Sequence, residues 1–174
     1  MRLDHRQALS RTGILAALAA FDPHVAGTPP LGIDLATSDI DILCHAPDPL
    51  HFTDVMIDAF ADEEDFAVWQ WISGRRPVIA RFTAHGWTFG IFADAPPVRE
   101  QEGWRHYLVE ERLLALGGAA FRAAILDERR HGAKTEPAFA RALGLEGDGY
   151  RILLDLQQQT DVTLADLLAR SGYG

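Results

Sequence analysis

One cysteine, Cys44, stands in the 174 residues, so no disulfide can form within the chain. It suits a buried strand position as a small apolar side chain. A reactive thiol would need a cation beside it, and His45 would point to the opposite face of the same strand. Lysine is equally scarce: Lys134 is the only one, and every other basic side chain that carries a fixed charge is an arginine. Cations as a class are short, 16 Lys and Arg against 25 Asp and Glu, for a net charge of -9. Such a chain repels nucleic acid and anionic membranes on average, which excludes a broad nucleic-acid groove. Small molecules, including ligands that share a cation with the protein, are the expected partners. No apolar run approaches the roughly 18 residues of a membrane span. The apolar stretch 13–21 is short and lacks a basic lead, so it reads as a helix, and the cytoplasm is the expected location. The 7 histidines show no zinc spacing. Ser10, Ser38, Ser73 and Ser171 lack the setting of a nucleophilic serine. Residues 144–149 are glycine-rich but follow no strand, so they are a helix connection and not a phosphate loop.

What is present is an ordinary globular mixture, 48% hydrophobic and 24% charged. That is enough for one domain with its own core over residues 1–174, and no linker marks a second. Leu9, Ile14, Leu15, Leu18 and Phe21 recur near helical spacing, so residues 4–21 read as one helix, ended by Asp22-Pro23. Residues 24–26 read as a short strand, and 27–32, with two glycines and two prolines, as a loop. Residues 39–45 follow as a strand, with Ile40 and Ile42 on one face and Asp39 and Asp41 on the other. After the break at Pro47-Asp48-Pro49, residues 50–62 read as a helix and the acidic run 62–65 as a solvated end. Residues 66–72, 77–83 and 87–92 read as strands, the last two forming a hairpin turned at His85-Gly86. Arg75-Arg76 reads as a solvated turn. Pro96-Pro97 closes the sheet region. Beyond it the pattern is helical over 100–116, 119–131, 136–143, 150–158 and 164–170, with Asp148 and Thr163 as N-caps. The expected class is α+β: an N-terminal helix, a mixed sheet and a helical C-terminal half.

The pattern that carries chemistry is Gly27-Thr28, ten further residues, then Asp39-Ile40-Asp41-Ile42. Carboxylates at i and i+2 of a strand share a face and repel each other unless a cation lies between them. A hard ion such as Mg²⁺ takes oxygen ligands and removes that repulsion. A glycine and a hydroxyl residue upstream offer backbone N–H groups to phosphate oxygens. Asp39 and Asp41 are therefore the candidate metal and catalytic residues, and Gly27, Thr28 and Ser38 the candidate ligand-binding ones.

This combination resembles the signature of the nucleotidyltransferase superfamily, Gly-Ser or Gly-Thr, a spacer, then Asp-x-Asp on a strand. The resemblance implies that the acid pair holds metal, which activates a hydroxyl and orients a nucleoside triphosphate. The likeness extends over residues 27–44 and 86–97, over Arg105-His106-Tyr107 with residues 110–114, and over residues 134–140. Across about residues 10–155 the chain is similar to a mostly bacterial family of domains of unknown function with a nucleotidyltransferase-like fold. That implies a fold more than a reaction. One departure bears on function: the superfamily needs a third carboxylate on a neighbouring strand. The resemblance implies acids at alternate positions after the hairpin turn, where this sequence has Thr88 and Gly90. Asp94 and Asp34 are the substitutes at hand, each on a different backbone path.

Other residues carry two readings each. Lys134 meets a phosphate, or stands at a helix start by chance. Arg81 faces the pocket as a charge neutraliser, or pairs with Asp39 or Asp41 and silences a metal centre. His106 is a general base, or a hydrogen-bonded structural histidine. Two functions follow: an Mg²⁺ and nucleotide binder capable of nucleotidyl transfer, or a catalytically inactive version of the fold that binds a small ligand or a protein.

Overall fold

The computed structural model describes residues 2–173. The chain divides into two compact units: the first runs to Pro30 and resumes over Thr37–Gln101, and the second comprises Leu31–Ala36 and everything from Glu102 onward.

The first unit opens with α1 (His5–Thr12), capped by the Asp4 side chain, which accepts from the Arg6 N–H at 2.9 Å. The single helix expected over 4–21 is broken. Gly13 adopts a left-handed φ of 65°, which glycine enters without strain, and a short α2 (Ile14–Ala17) and a 3-10 turn (Ala19–Phe21) follow. Next come β1 (His24–Ala26) and a one-turn α3 (Thr28–Leu31) where a loop is expected. Pro29 and Pro30 favour this turn because they fall where a helix has no use for their missing N–H. Then follow β2 (Ile40–His45), α4 (Pro49–Phe60), β3 (Glu64–Gln70), β4 (Val78–Ala84) and β5 (Trp87–Asp94). Asp48 caps α4 by accepting from the Leu50 and His51 N–H groups, with Pro49 at the first helical position.

The five strands form one mixed sheet in the order β1-β2-β5-β4-β3. Among the described residues only the β2–β5 pair is parallel. The β4–β5 hairpin turns through His85 and Gly86, both at positive φ (52° and 79°), the conformation whose twist matches the flanking strands. The register separates two faces. Ile40, Ile42 and Cys44 pair with Phe89, Ile91 and Ala93, which pair in turn with Phe82, Ala80 and Val78. This face is buried with Phe52, Met56 and Phe60 of α4, and Phe60, Phe82 and Phe89 stack in series at 4.8 and 4.9 Å between ring centres.

The second unit is helical: α5 (Glu102–Arg130), α6 (Thr135–Ala142), α7 (Gly149–Gln157) and α8 (Asp161–Arg170). The break expected at Gly117-Gly118 interrupts α5 at Gly118 (φ 63°, ψ -155°), backbone open to glycine alone. Asp148 caps α7 as expected. The cap of α8 is Thr160 and not Thr163; its hydroxyl accepts from the Thr163 N–H at 3.2 Å, so the helix starts three residues early. Ile33, Leu113, Phe121, Ile125, Phe139, Leu153 and Leu164 make a separate core.

Candidate functional site

Strand β2 settles the orientation of the acid pair. Its ladder buries Ile40 and Ile42, and alternation leaves Asp41, and Asp39 just before the strand, exposed on the other face. Across the sheet Asp41 is in register with Gly90 of β5, and Gly90 with Arg81 of β4. Arg81 therefore shares the row of Asp41, two strand spacings or about 10 Å away. It is exposed, and among the described residues it makes no ion pair with either acid.

Glycines flank the Asp41 carboxylate. Gly27 ends β1 at a φ of 74°, and a Cβ built there would collide with Asp41 Oδ2. On the other side, a Cβ at Gly90 would stand 3.2 Å from Asp41 Oδ1. A side chain at Gly27 would push into the carboxylate, whereas one at Gly90 asks it to yield by a few tenths of an ångström. Thr28, 7% exposed, donates from its hydroxyl to Ser38 Oγ at 3.2 Å, which ties the start of α3 to the residue preceding Asp39. Gly27, Thr28, Ser38 and Asp41 are thus brought together, as their spacing implies. Pro29 and Pro30 contribute no N–H, so the backbone donors of this corner are those of Gly27 and Thr28.

Gly90 faces Asp41 and Thr88 shares its face by alternation; neither is an acid. Asp94 is 2% exposed and opposite His45, four residues or roughly 13 Å beyond Gly90 along β5. It accepts from Arg75 Nε at 2.9 Å and from the Ala95 N–H at 2.8 Å. The turn at Arg75 is exposed as expected, and it also supplies the cation that a buried carboxylate needs. Among the described residues no group of three or more His, Cys, Asp or Glu is placed to hold a metal ion.

Asp34 and Lys134 belong to the second unit. Lys134 is exposed and immediately precedes α6, making no side-chain cap. Burial pushes the Arg129 guanidinium below its ordinary value, and the charges of Glu110, Asp34 and Glu136 oppose it in part. Arg129 and Arg122 donate to the carbonyls of Ile33 and Leu31 respectively. His106, 8% exposed, has Nε2 at 2.9 Å from the Tyr150 carbonyl, to which it donates, and Nδ1 at 3.6 Å from Glu136 Oε1. Both ring nitrogens are engaged, which favours the structural reading. Cys44 is fully buried, and burial, reinforced by the charge of Asp22, pushes its thiol up to about 12. It is the inert apolar residue its strand position implies.

Sequence reasoning missed Arg2. Its guanidinium lies 3.3 Å over the centre of the Trp87 ring, and Nη2 donates to the Ser38 carbonyl at 2.9 Å. No pattern in the sequence points to it, because both partners are distant along the chain.

A family model described as Domain of unknown function (DUF4269) matches residues 7–156. No curated protein is matched. Among solved structures, the fold resembles the GLD-2/RNP-8 complex with a TM-score of 0.57 at 11% identity, covering 97% of this chain and 78% of that one. It resembles the Cid1 poly(U) polymerase bound to MgATP with a TM-score of 0.54 at 14% identity, covering 86% and 47%. A cytoplasmic RNA terminal U-transferase gives 0.52 at 15% identity, covering 86% and 44%. The chain therefore spans less than half the length of those last two proteins. These likenesses establish the nucleotidyltransferase-like fold.

Proposed function

We propose that this chain, which belongs to the DUF4269 family, binds a nucleoside triphosphate with Mg²⁺ at Asp39 and Asp41. The observation that carries the reading is the seat of Asp41, whose two carboxylate oxygens face glycines on either side, Gly27 and Gly90. Exposed acids can be reached by a ligand from solvent. Two carboxylates do not make a cage, but Mg²⁺ is ordinarily held by one or two carboxylates together with waters and substrate phosphates, so this donor set fits an ion that arrives with its nucleotide. When bound, the ion supplies charge neutralisation of the phosphates and of a reacting hydroxyl. The chain's own residues do the rest. Asp39 and Asp41 fix the ligand's position, Gly27 and Thr28 present backbone N–H groups to phosphate oxygens, Ser38 braces Thr28, and Arg81 contributes positive charge from the same face. The proposal rests on first-unit residues alone and places the protein in the cytoplasm, where its ligands are. The similar solved proteins include one bound to MgATP.

The acceptor is a small molecule on this reading, because the net charge of -9 disfavours a long polyanion. A second reading has its own support. Thr88 and Gly90 stand where a third acid would serve two-metal chemistry, which favours a binding protein that has lost catalysis. Calorimetry with MgATP and MgGTP, on the wild type and on Asp39→Ala with Asp41→Ala, tests the site. Mg²⁺-dependent binding that disappears in the double variant is the expected result; absence of binding by the wild type overturns it. Among the described residues no helix is long and apolar enough to cross a membrane.

A further inference from the structure

Residues 2–4 run alongside the β4–β5 turn as a strap. The Leu3 N–H donates to the His85 carbonyl at 3.2 Å, and the buried Trp87 indole donates to the Leu3 carbonyl at 2.8 Å. Gly86 admits the strap, because a Cβ there would lie 2.7 Å from the Arg2 Cα, in addition to its positive φ. The strap thereby seats the Arg2 guanidinium on the Trp87 ring, within cation–π range, with Nη2 on the Ser38 carbonyl.

That carbonyl belongs to the peptide joining Ser38 to Asp39. Asp41 lies within the ladder of β2, which fixes its backbone, whereas Asp39 precedes the first paired residue, Ile40. Two contacts on Ser38 bear on the peptide that leads into Asp39: Thr28 donates to the side-chain hydroxyl and Arg2 to the carbonyl. We propose that Arg2 is the positioning residue of the acid pair, fixing the Ser38–Asp39 peptide so that the Asp39 carboxylate is presented beside that of Asp41. The ligand affected would be the Mg²⁺–nucleotide of the proposed function, on which this inference rests. The guanidinium suits the task better than an ammonium, since its plane stacks on the indole while its edge donates.

Two measurements on the full chain decide it. The first is hydrogen exchange of the ligand-free protein across residues 37–42, in the wild type, Arg2→Met and Arg2→Lys. Faster exchange at 38–40 in Arg2→Met, with partial rescue by Arg2→Lys, is expected; identical exchange in all three overturns the proposal. The second is MgATP affinity by calorimetry in a double-variant cycle. Arg2→Met should weaken binding about 10-fold, the usual effect of losing a group that orients a ligand. It should do so in the Asp41→Asn background but add nothing in the Asp39→Asn background. An equal effect in both backgrounds means a general structural role and overturns the positioning role. Should the wild type bind no MgATP, the nucleotide reading fails, while the exchange experiment still decides whether Arg2 orders the Ser38–Asp39 peptide.

Discussion

Two sets of charged residues, one in each unit, behave in opposite ways. In the first, Asp39, Asp41 and Arg81 are exposed, and the space around Asp41 is kept by glycines. In the second, Glu110 and His106 are only 4% and 8% exposed, and Arg122 and Arg129 donate to the carbonyls of Leu31 and Ile33. A buried charge is tolerated only when it is paired and hydrogen-bonded, so the second set is consumed in holding residues 31–33 and the α5, α6 and α7 helices in place. An exposed acid has no such obligation. Motifs from both units contribute to the family likeness, yet Asp39 and Asp41 of the first set lie exposed while Glu110 and His106 of the second lie buried. Resemblance alone does not distinguish a binding residue from a structural one; burial and bonding do.

Reversing the roles should give the largest effect. Glu110→Ala removes a buried carboxylate whose charge favours the half-buried Arg129 guanidinium, and should cost about 2 kcal/mol. Asp41→Asn should leave the melting temperature within a few degrees of the wild type, or raise it by removing repulsion from Asp39, while weakening Mg²⁺-dependent nucleotide binding by about 10–100-fold. Thermal melts and calorimetry on both variants check this. Equal stability losses would erase the contrast.

Gly27→Ala comes next. The left-handed backbone costs a non-glycine residue about 1–2 kcal/mol, and the new methyl must displace the Asp41 carboxylate. The variant should melt several degrees lower and lose nucleotide binding together. Gly13→Ala carries the left-handed penalty with nothing near its Cβ, so it should lose stability and keep binding. Comparing the two separates backbone strain from intrusion into the site.

Cys44 gives a smaller effect that appears only in alkali. Its folded thiol is raised to about 12 from an ordinary value of 9.0. Below pH 9 both the folded and the unfolded chain keep the proton, and the stabilisation from the native thiol is fully present. Above it the unfolded chain releases the proton while the native one holds it, so stability falls by about 1.4 kcal/mol per pH unit until the folded thiol ionises. Denaturant titrations of the wild type and Cys44→Ala between pH 8 and about 10.5 should therefore converge or cross as pH rises, the alanine variant lacking this slope. Parallel slopes would remove Cys44 as the cause.

Much of this contrast was legible in the residues, for identifiable reasons. The alternation of Ile40, Ile42 and Cys44 predicts the buried face of β2, and His85-Gly86 has the chemistry of a two-residue hairpin turn. Both signals are local, which is why they survive folding. Breaks inside helical runs are less visible. Gly13 falls within a sound apolar period, and nothing local says that it leaves the helix for a left-handed cap. Pro29-Pro30 reads as loop although prolines fit a first helical turn. The pairing of Arg75 with Asp94 and the seat of Arg2 were hidden because they join residues 19 and 36 apart, where neither partner's neighbours hint at the other. The missing acid at Gly90 was visible, but its position directly across from Asp41 needed the β2–β5 register.

That register permits the most delicate test of the acid pair. Gly90 is extended backbone with no positive φ, and a Cβ there requires Asp41 Oδ1 to yield by only a few tenths of an ångström. Gly90→Asp would therefore fit and would restore a carboxylate on the neighbouring strand. Without metal, the added charge should repel Asp41 by about 1 kcal/mol, little because the row is exposed, and lower the melting temperature by a few degrees. Millimolar Mg²⁺ should recover that loss and stabilise the variant more than it stabilises the wild type, since binding to the native state alone raises stability by mass action. The same melt in Mg²⁺ and in a monovalent salt of equal ionic strength separates coordination from screening. Recovery specific to Mg²⁺ would show that the glycine-flanked carboxylate lies where a cation can bind, and that this chain is one substitution short of a fuller metal site. Equal recovery in both salts would make Asp39 and Asp41 ordinary exposed acids and leave the inactive, partner-binding reading in possession of the fold.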